Sequence, residues 1–216
     1  MYLPAVLKKW NYFLTGKIYL SDAVRNFAYE WAWSFLRRLP KGSALCDVGS
    51  RDSLFPAFLA WQGFNVDVVE KDGRFIDVQQ KNAGRWRVSM EVNETDFKAF
   101  SPKRAYDAAC SLFSLQHAGD DDVACYGRVA SMLSPGGIFL SACEYDDRGT
   151  LFHEGRDDGT MRVYGPPDIR DRIEKPLLMG GMEIVDRRFA GFLRKAVSFQ
   201  ADNRDAAFFF LCARKK

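Results

Sequence analysis

The chain has 216 residues, with Lys+Arg 31 set against Asp+Glu 28 for a formal charge of +3, enough for one domain with a terminal extension. Its 47% hydrophobic and 27% charged residues exclude a disordered, collagen-like or fibrous chain and predict a real core. The small positive surplus is too little to neutralise a run of phosphates, so nucleic acid is not an expected partner.

Residues 1–42 hold ten of the 31 aromatic residues and form a compositional unit. Its first part, MYLPAVLKKWNYFLTGKIYL, is broken by Lys8, Lys9 and Lys17 and has no 18-residue apolar run or small-residue cleavage site, so neither a membrane span nor a secretion signal is expected. Val24, Phe27, Ala28, Trp31, Phe35 and Leu39 then recur at three- and four-residue steps. That spacing predicts an amphipathic helix, capped by Ser21 or Asp22 and stopped by Pro40 and Gly42. Two roles fit it: a helix packed on the domain behind, or an aromatic lid over a ligand. Exposed aromatics here would also serve a homodimer interface.

From residue 44 short apolar runs alternate with helical patterns. ALCDVG (44–49) and NVDVVE (65–70) read as strands, and the stripe Leu54, Phe55, Phe58, Leu59 before Gln62-Gly63 reads as the helix between them. There follow a short helix after Asp72, a strand near 86–92, the strand YDAACSLF (106–113), a helix over 121–133 and the strand GIFLSACE (137–144). This alternation implies βαβ units and a parallel sheet covered on both faces. Residues 145–165 break the rhythm, as a long loop or hairpin inserted on the edge where open α/β sheets hold ligands. A helix to about Met179, the strand MEIVDRRF, a second insertion (190–204) and the strand AAFFFLCA close the chain.

The five cysteines (Cys46, Cys110, Cys125, Cys143, Cys212) form no C-x-x-C pair and read as reduced thiols of a cytoplasmic protein, most of them core. His117 and His153 are the only histidines and lie at no metal-ligand spacing, so no metal is expected. Chemistry concentrates instead in a strand ending at Asp47, the glycine Gly49, a helix, and a second strand ending in Glu70. Such a strand–turn–helix brings backbone N–H groups toward the negative end of a ligand, and an acid some 20 residues on accepts two ribose hydroxyls. The pattern binds a nucleoside.

LCDVGS (45–50), VVEKD (68–72), ETDF (94–97), YDAACSLFSLQH (106–117), LSPGGIFL (133–140) and MGGMEIVD followed by AAFFFLCA together resemble the class I S-adenosylmethionine-dependent methyltransferases, over residues 43–216. The resemblance implies a three-layer, Rossmann-like α/β fold with a seven-stranded, mostly parallel sheet whose last strand is antiparallel. Together with the compositional boundary at 42 and the breaks in rhythm, it gives two parts, an N-terminal helical cap or lid over 1–42 and a cofactor domain over 43–216 with substrate-side insertions at 145–165 and 190–204. It implies S-adenosyl-L-methionine as cofactor, S-adenosyl-L-homocysteine as product, and a small-molecule acceptor, a glycan or metabolite hydroxyl being the leading one.

By the same resemblance, Asp47 closes the first strand near the methionine amino end, and Gly49, Ser50 and Arg51 pass the methionine portion by backbone contact. Glu70 takes the ribose hydroxyls, Asp96 and Phe97 the adenine, and Ser111 to Phe113 the floor beneath the sulfonium. Asp96 and Ser111 are also common caps. His117 is the candidate base, against a purely structural histidine; His153, Glu144 and Tyr145 are weaker candidates. The family's alternate glycines are reduced here to Gly49, with Arg51 and Ser53 beyond it. Either Arg51 points outward while the backbone still cradles the ligand, or the site is degenerate and the chain is a binding or scaffold module. A nicotinamide-dependent oxidoreductase is the further alternative, against which Asp96-Phe97 and LSPGG argue.

Overall fold

The computed structural model describes residues 23–155, 159–192 and 206–216. Strands β1 (Ala44–Val48), β2 (Asn65–Glu70), β3 (Met90–Glu94), β4 (Tyr106–Leu112) and β5 (Leu133–Tyr145) run parallel. Between and around them lie α1 (Ala23–Leu36), α2 (Phe55–Trp61), α3 (Gly73–Trp86) and α4 (Asp122–Met132). The chain then makes a separate antiparallel hairpin, β6 (Leu151–Gly155) and β7 (Gly159–Val163). It continues through α5, built of Pro166–Asp168, a π-helical stretch Ile169–Glu174 and Lys175–Met179, to the antiparallel pair β8 (Met182–Phe192) and β9 (Ala206–Lys215). The main sheet is seven-stranded in the order β3-β2-β1-β4-β5-β9-β8, and β9 is antiparallel to both its neighbours.

The central strands are apolar on both faces because both faces are covered. In β9, Phe208, Phe210 and Cys212 enter the core under α1 and α2, while Phe209, Leu211 and Ala213 enter the core under α4 and α5. Period-two alternation sends successive side chains to opposite sides. The first core also takes Val24, Ala28, Tyr29, Trp31, Ala32 and Leu36 of α1, with the Phe27 and Trp31 rings 5.0 and 5.5 Å from Phe210. The expected caps Ser21 and Asp22, and the aromatics before them, lie outside the described residues, as does most of the 190–204 insertion.

Two boundaries differ from the sequence expectation. The helix after Asp72 is long, because Asp72 caps its start by accepting from Arg74 N at 3.0 Å and it runs to Trp86, where Arg87 turns left-handed at φ 55°. The third strand is therefore displaced to 90–94. β5 begins at Leu133, so LSPGG is a bulge within the strand: Tyr106 pairs with Leu133 and Ala108 already with Ile138. Gly137 passes so close there that a Cβ would stand 2.8 Å from Ser134 O and 3.0 Å from Tyr106 O.

Candidate functional site

A cavity of about 260 Å³ opens at the C-terminal ends of β1, β2 and β4, the edge where parallel α/β sheets present backbone and loop groups to ligands. Gly49 begins the loop after β1 at φ 71°, its N–H donating to Val69 O at 2.8 Å. A Cβ on it would stand 1.8 Å from Ser114 Oγ and 2.5 Å from Ser114 Cβ, so glycine here makes room for the Ser114 side chain beyond the end of β4. Arg51 is also left-handed, at φ 49°. Its N–H donates to Glu70 Oε2 at 3.0 Å, and its guanidinium lies 4.7 Å over the Phe75 ring.

Glu70 is buried, and its other oxygen accepts from Asp72 N at 3.2 Å. A carboxylate has about four acceptor positions, so two remain for a ligand after these backbone bonds. Asp96 also faces the cavity while its Oδ1 accepts from Lys98 N at 3.0 Å, so it caps its own turn and lines the site at once. Phe97 lies beside it, and Val48, Val69 and Leu115 give the cavity apolar walls.

At the end of β4, Phe113 adopts φ 67°, a conformation disfavoured by roughly 1–2 kcal/mol for an L-residue. It is held there by its N–H donating to Ala142 O at 2.8 Å and by its ring edge-on to Phe208 at 5.6 Å. The following 3₁₀ turn, Leu115–His117, carries His117 to the cavity wall. Gln116 in this turn is buried, accepting from Glu144 N at 2.8 Å and donating to Met161 Sδ at 3.0 Å, so it ties the turn to both β5 and β7.

No protein-family model matches the chain. It is 31% identical over 128 residues to uncharacterized proteins from two strains of Mycobacterium tuberculosis, a match covering 56% of this chain and 42% of theirs, so it spans less than half the length of these curated relatives. Its structure is similar to the Burkholderia thailandensis 1,6-didemethyltoxoflavin-N1-methyltransferase with bound 1,6-didemethyltoxoflavin and S-adenosylhomocysteine: TM-score 0.71, 16% identity, 100% of this chain and 92% of that one. The N-methyltransferase NodS of Bradyrhizobium japonicum, in complex with S-adenosylhomocysteine, gives 0.68 at 15% identity over 96% and 97%. This is the fold of the class I S-adenosylmethionine-dependent methyltransferases. The [4+2]-cyclase SpnF shares it, with TM-score 0.70 and 15% identity over 88% of this chain and 80% of that one, so the methyltransferase fold alone does not dictate methyl transfer.

Within this methyltransferase fold, Gly49, Arg51, Glu70, Asp96, Phe97, Phe113 and His117 converge on one cavity. Asp47, Ser50 and Ser111 do not line it. Asp47 is buried at the end of β1, where burial pushes its carboxyl up to about 7; the bond from Ser50 Oγ opposes that rise and the nearby Glu70 charge adds to it. Ser111 is fully buried, and its Oγ accepts from Leu115 N at 3.3 Å, so it caps the turn that presents His117. Of the weaker candidates, Glu144 is buried at the end of β5, Tyr145 packs its ring 4.7 Å from Phe189, and the His153 side chain lies outside the described residues.

The cavity also contains Lys71, Asp72, Phe75, Thr95, Ser114 and Cys125, which the sequence reading did not select. Lys71 and Asp72 directly follow Glu70 and could have been read with it. Cys125 comes from α4, at no motif; it is buried, and its thiol is pushed up to about 11 chiefly by desolvation, so it behaves as wall rather than nucleophile.

The insertion after β5 is the β6–β7 hairpin, held against α4 by a buried ion cluster. Asp122 accepts from Arg172 Nε at 3.0 Å and Nη2 at 2.5 Å and from Tyr164 Oη at 2.9 Å, with Arg162 Nε 3.4 Å away. Arg162 also reaches Asp120 at 2.9 Å and lies 4.6 Å over the Phe152 ring. Among the described residues no cluster of three or more His, Cys, Asp or Glu is placed to hold a metal, and no helix is long and apolar enough to cross a membrane.

Proposed function

We propose that the chain is an S-adenosylmethionine-dependent methyltransferase acting on a small-molecule acceptor, a hydroxyl-bearing glycan or metabolite being the leading class. The observation that carries this reading is the convergence of Glu70, Asp96 and the left-handed Gly49–Arg51 loop on one cavity of the methyltransferase fold. The donor set fits the cofactor. Glu70 keeps acceptor capacity for two ribose hydroxyls, Asp96 and Phe97 offer an acceptor and an apolar face to adenine, and the Gly49–Arg51 backbone borders the methionine portion. Asp47, buried at the end of β1 behind that loop, would face the cationic amino end of the methionine portion.

When bound, S-adenosylmethionine supplies an electrophilic methyl on a sulfonium and is left as neutral S-adenosylhomocysteine. Because that methyl is already activated, this chain's residues need chiefly to position the acceptor in line and exclude water. Phe113 and Leu115 give the apolar wall for that purpose. His117, at the cavity wall, takes the proton from an acceptor hydroxyl as the new bond forms. The N-terminal segment 1–42 and the insertions at 145–165 and 190–204 are proposed as the acceptor side, with α1 as the fixed part of the cap.

Parallel turnover assays on hydroxyl and amine acceptors, followed as S-adenosylhomocysteine release, test the reading. His117→Ala is expected to lower turnover of a hydroxyl acceptor roughly 10²–10⁴-fold, the range of a general base, with S-adenosylhomocysteine affinity unchanged. A second reading, a basic nitrogen acceptor, is favoured by Glu144. Register places Glu144 opposite Phe208 and on the sheet face of Ala142, beside the Phe113 end of β4, and a buried carboxylate there suits a cation. Turnover confined to amines and lost in Glu144→Gln would select that reading. Cofactor binding without turnover of either class would leave a binding module.

A further inference from the structure

The family's loop gains its left-handed turns from glycines, whereas here Arg51 and Ser53 stand where those glycines are expected, and Arg51 nevertheless takes φ 49°. Something else must hold the loop. Gln79, on the inner face of α3, is fully buried, and its side-chain amide donates to Arg51 O at 2.7 Å and to Ser53 O at 2.9 Å. The Gln79 Oε1 has no hydrogen-bond partner. A buried amide that leaves its own acceptor unsatisfied is not optimised for the core around it; its geometry is organised around the two loop carbonyls.

The other groups complete the clamp. Glu70 takes the Arg51 N–H, so residue 51 is gripped at both its donor and its acceptor. Ser53 Oγ accepts from Tyr29 Oη of α1 at 2.8 Å and from Phe55 N at 3.0 Å. We infer that Gln79 is the positioning residue of the cofactor loop, a side-chain clamp that does for Arg51 what glycine does by its backbone freedom and anchors Ser53 beside it. This deepens the proposed function and rests on it for the ligand, although not for the loop.

Two consequences follow for cofactor binding. Removing the donor frees the Arg51 carbonyl and leaves Ser53 O only the longer bond from Asn82 Nδ2 at 3.5 Å, releasing a conformation that an arginine does not hold unaided. Glycine at position 51 lowers the cost of the same conformation, so it should make the clamp less necessary.

The test uses the full chain and Gln79→Met, which keeps the length of the side chain and removes both bonds. Hydrogen exchange without ligand should show the amides of residues 49–53 exchanging at least tenfold faster than in the wild type, with those of β1 and β2 unchanged. Titration with S-adenosylhomocysteine should show affinity at least tenfold weaker, and Arg51→Gly added to Gln79→Met should recover at least threefold. Unchanged loop exchange overturns the assignment, as does a folded Gln79→Met that binds within twofold of the wild type. So does failure of both Gln79→Met and Gln79→Leu to fold, which makes Gln79 a residue of domain stability. A wild type that does not bind S-adenosylhomocysteine while Gln79→Met still loosens the loop would sink the cofactor reading alone.

Discussion

The two halves of the ligand edge are held in different ways. On the cofactor side, β1, β2 and their loops are locked by bonds that end on main-chain atoms: Glu70 on Arg51 N and Asp72 N, Gln79 on two loop carbonyls, Gly49 N on Val69 O. On the side proposed for the acceptor, the β6–β7 hairpin is tied to α4 and α5 by charged side chains around the buried Asp122. Backbone-directed bonds fix a cavity's shape whatever side chains flank it, whereas a side-chain cluster fixes one insertion to one body and can be rebuilt with the insertion. The proposed function, with a shared cofactor and a variable acceptor, calls for that division.

Asp122→Ala should break the acceptor side first and hardest. It takes from Arg162 and Arg172 their one buried carboxylate and leaves them only the exposed Asp120, and loss of one partner of a buried ion cluster costs up to about 3–5 kcal/mol. Denaturant titration should show that loss in any fraction that folds, and calorimetry should show S-adenosylhomocysteine affinity within threefold of wild type. A large loss of affinity would join the two halves that the structure separates.

Asp47 gives the cofactor side a pH signature. Its carboxyl lies up at about 7 in the fold against an ordinary value near 3.9. The folded state therefore binds this proton more tightly, and Asp47's contribution to stability is full below about pH 4 and declines as pH rises toward 7. The decline is on the order of a few kcal/mol. Asp47→Asn should remove it, giving a higher Tm than wild type at pH 8 and little difference at pH 4. A cationic ligand should in turn bind wild type more tightly at pH 8 than at pH 6.

Glu70→Ala should weaken S-adenosylhomocysteine binding by about 1.5–3 kcal/mol, the range for hydrogen bonds to a charged group, while leaving the hairpin's hydrogen exchange unchanged. The smallest effect belongs to Arg51→Gly. Relief of the left-handed strain should raise stability by less than about 1 kcal/mol, offset in part by glycine's entropy, with a rise in Tm of a few degrees at most.

The strands and turns that border the cavity are legible in the sequence because their signals are local. Asp47, Gly49 and Glu70 sit at strand ends whose apolar runs are unmistakable, and β2 was placed at its true bounds, 65–70. The double-faced apolar run AAFFFLCA marked β9 equally well. What escaped depends on contacts distant in sequence. Gln79 reads as one polar residue in a polar helix until α3 folds against residues 51–53. Cys125 lines the cavity only because α4 packs against β5 and the Leu115–His117 turn. Ser111 sits in a motif that suggests contact with the ligand, yet it is fully buried outside the cavity lining, and its Oγ accepts from the backbone of the next turn. Asp122, Arg162 and Arg172 are separated by up to 50 residues, and nothing in their local spacing announces a cluster.

The most direct test is calorimetric titration of the wild-type chain with S-adenosylmethionine, S-adenosylhomocysteine and NAD in parallel, with Glu70→Ala beside it. The account predicts binding of the first two, none of NAD, and at least tenfold weaker binding in Glu70→Ala. Binding of NAD, or no binding of either adenosyl ligand, would contradict it.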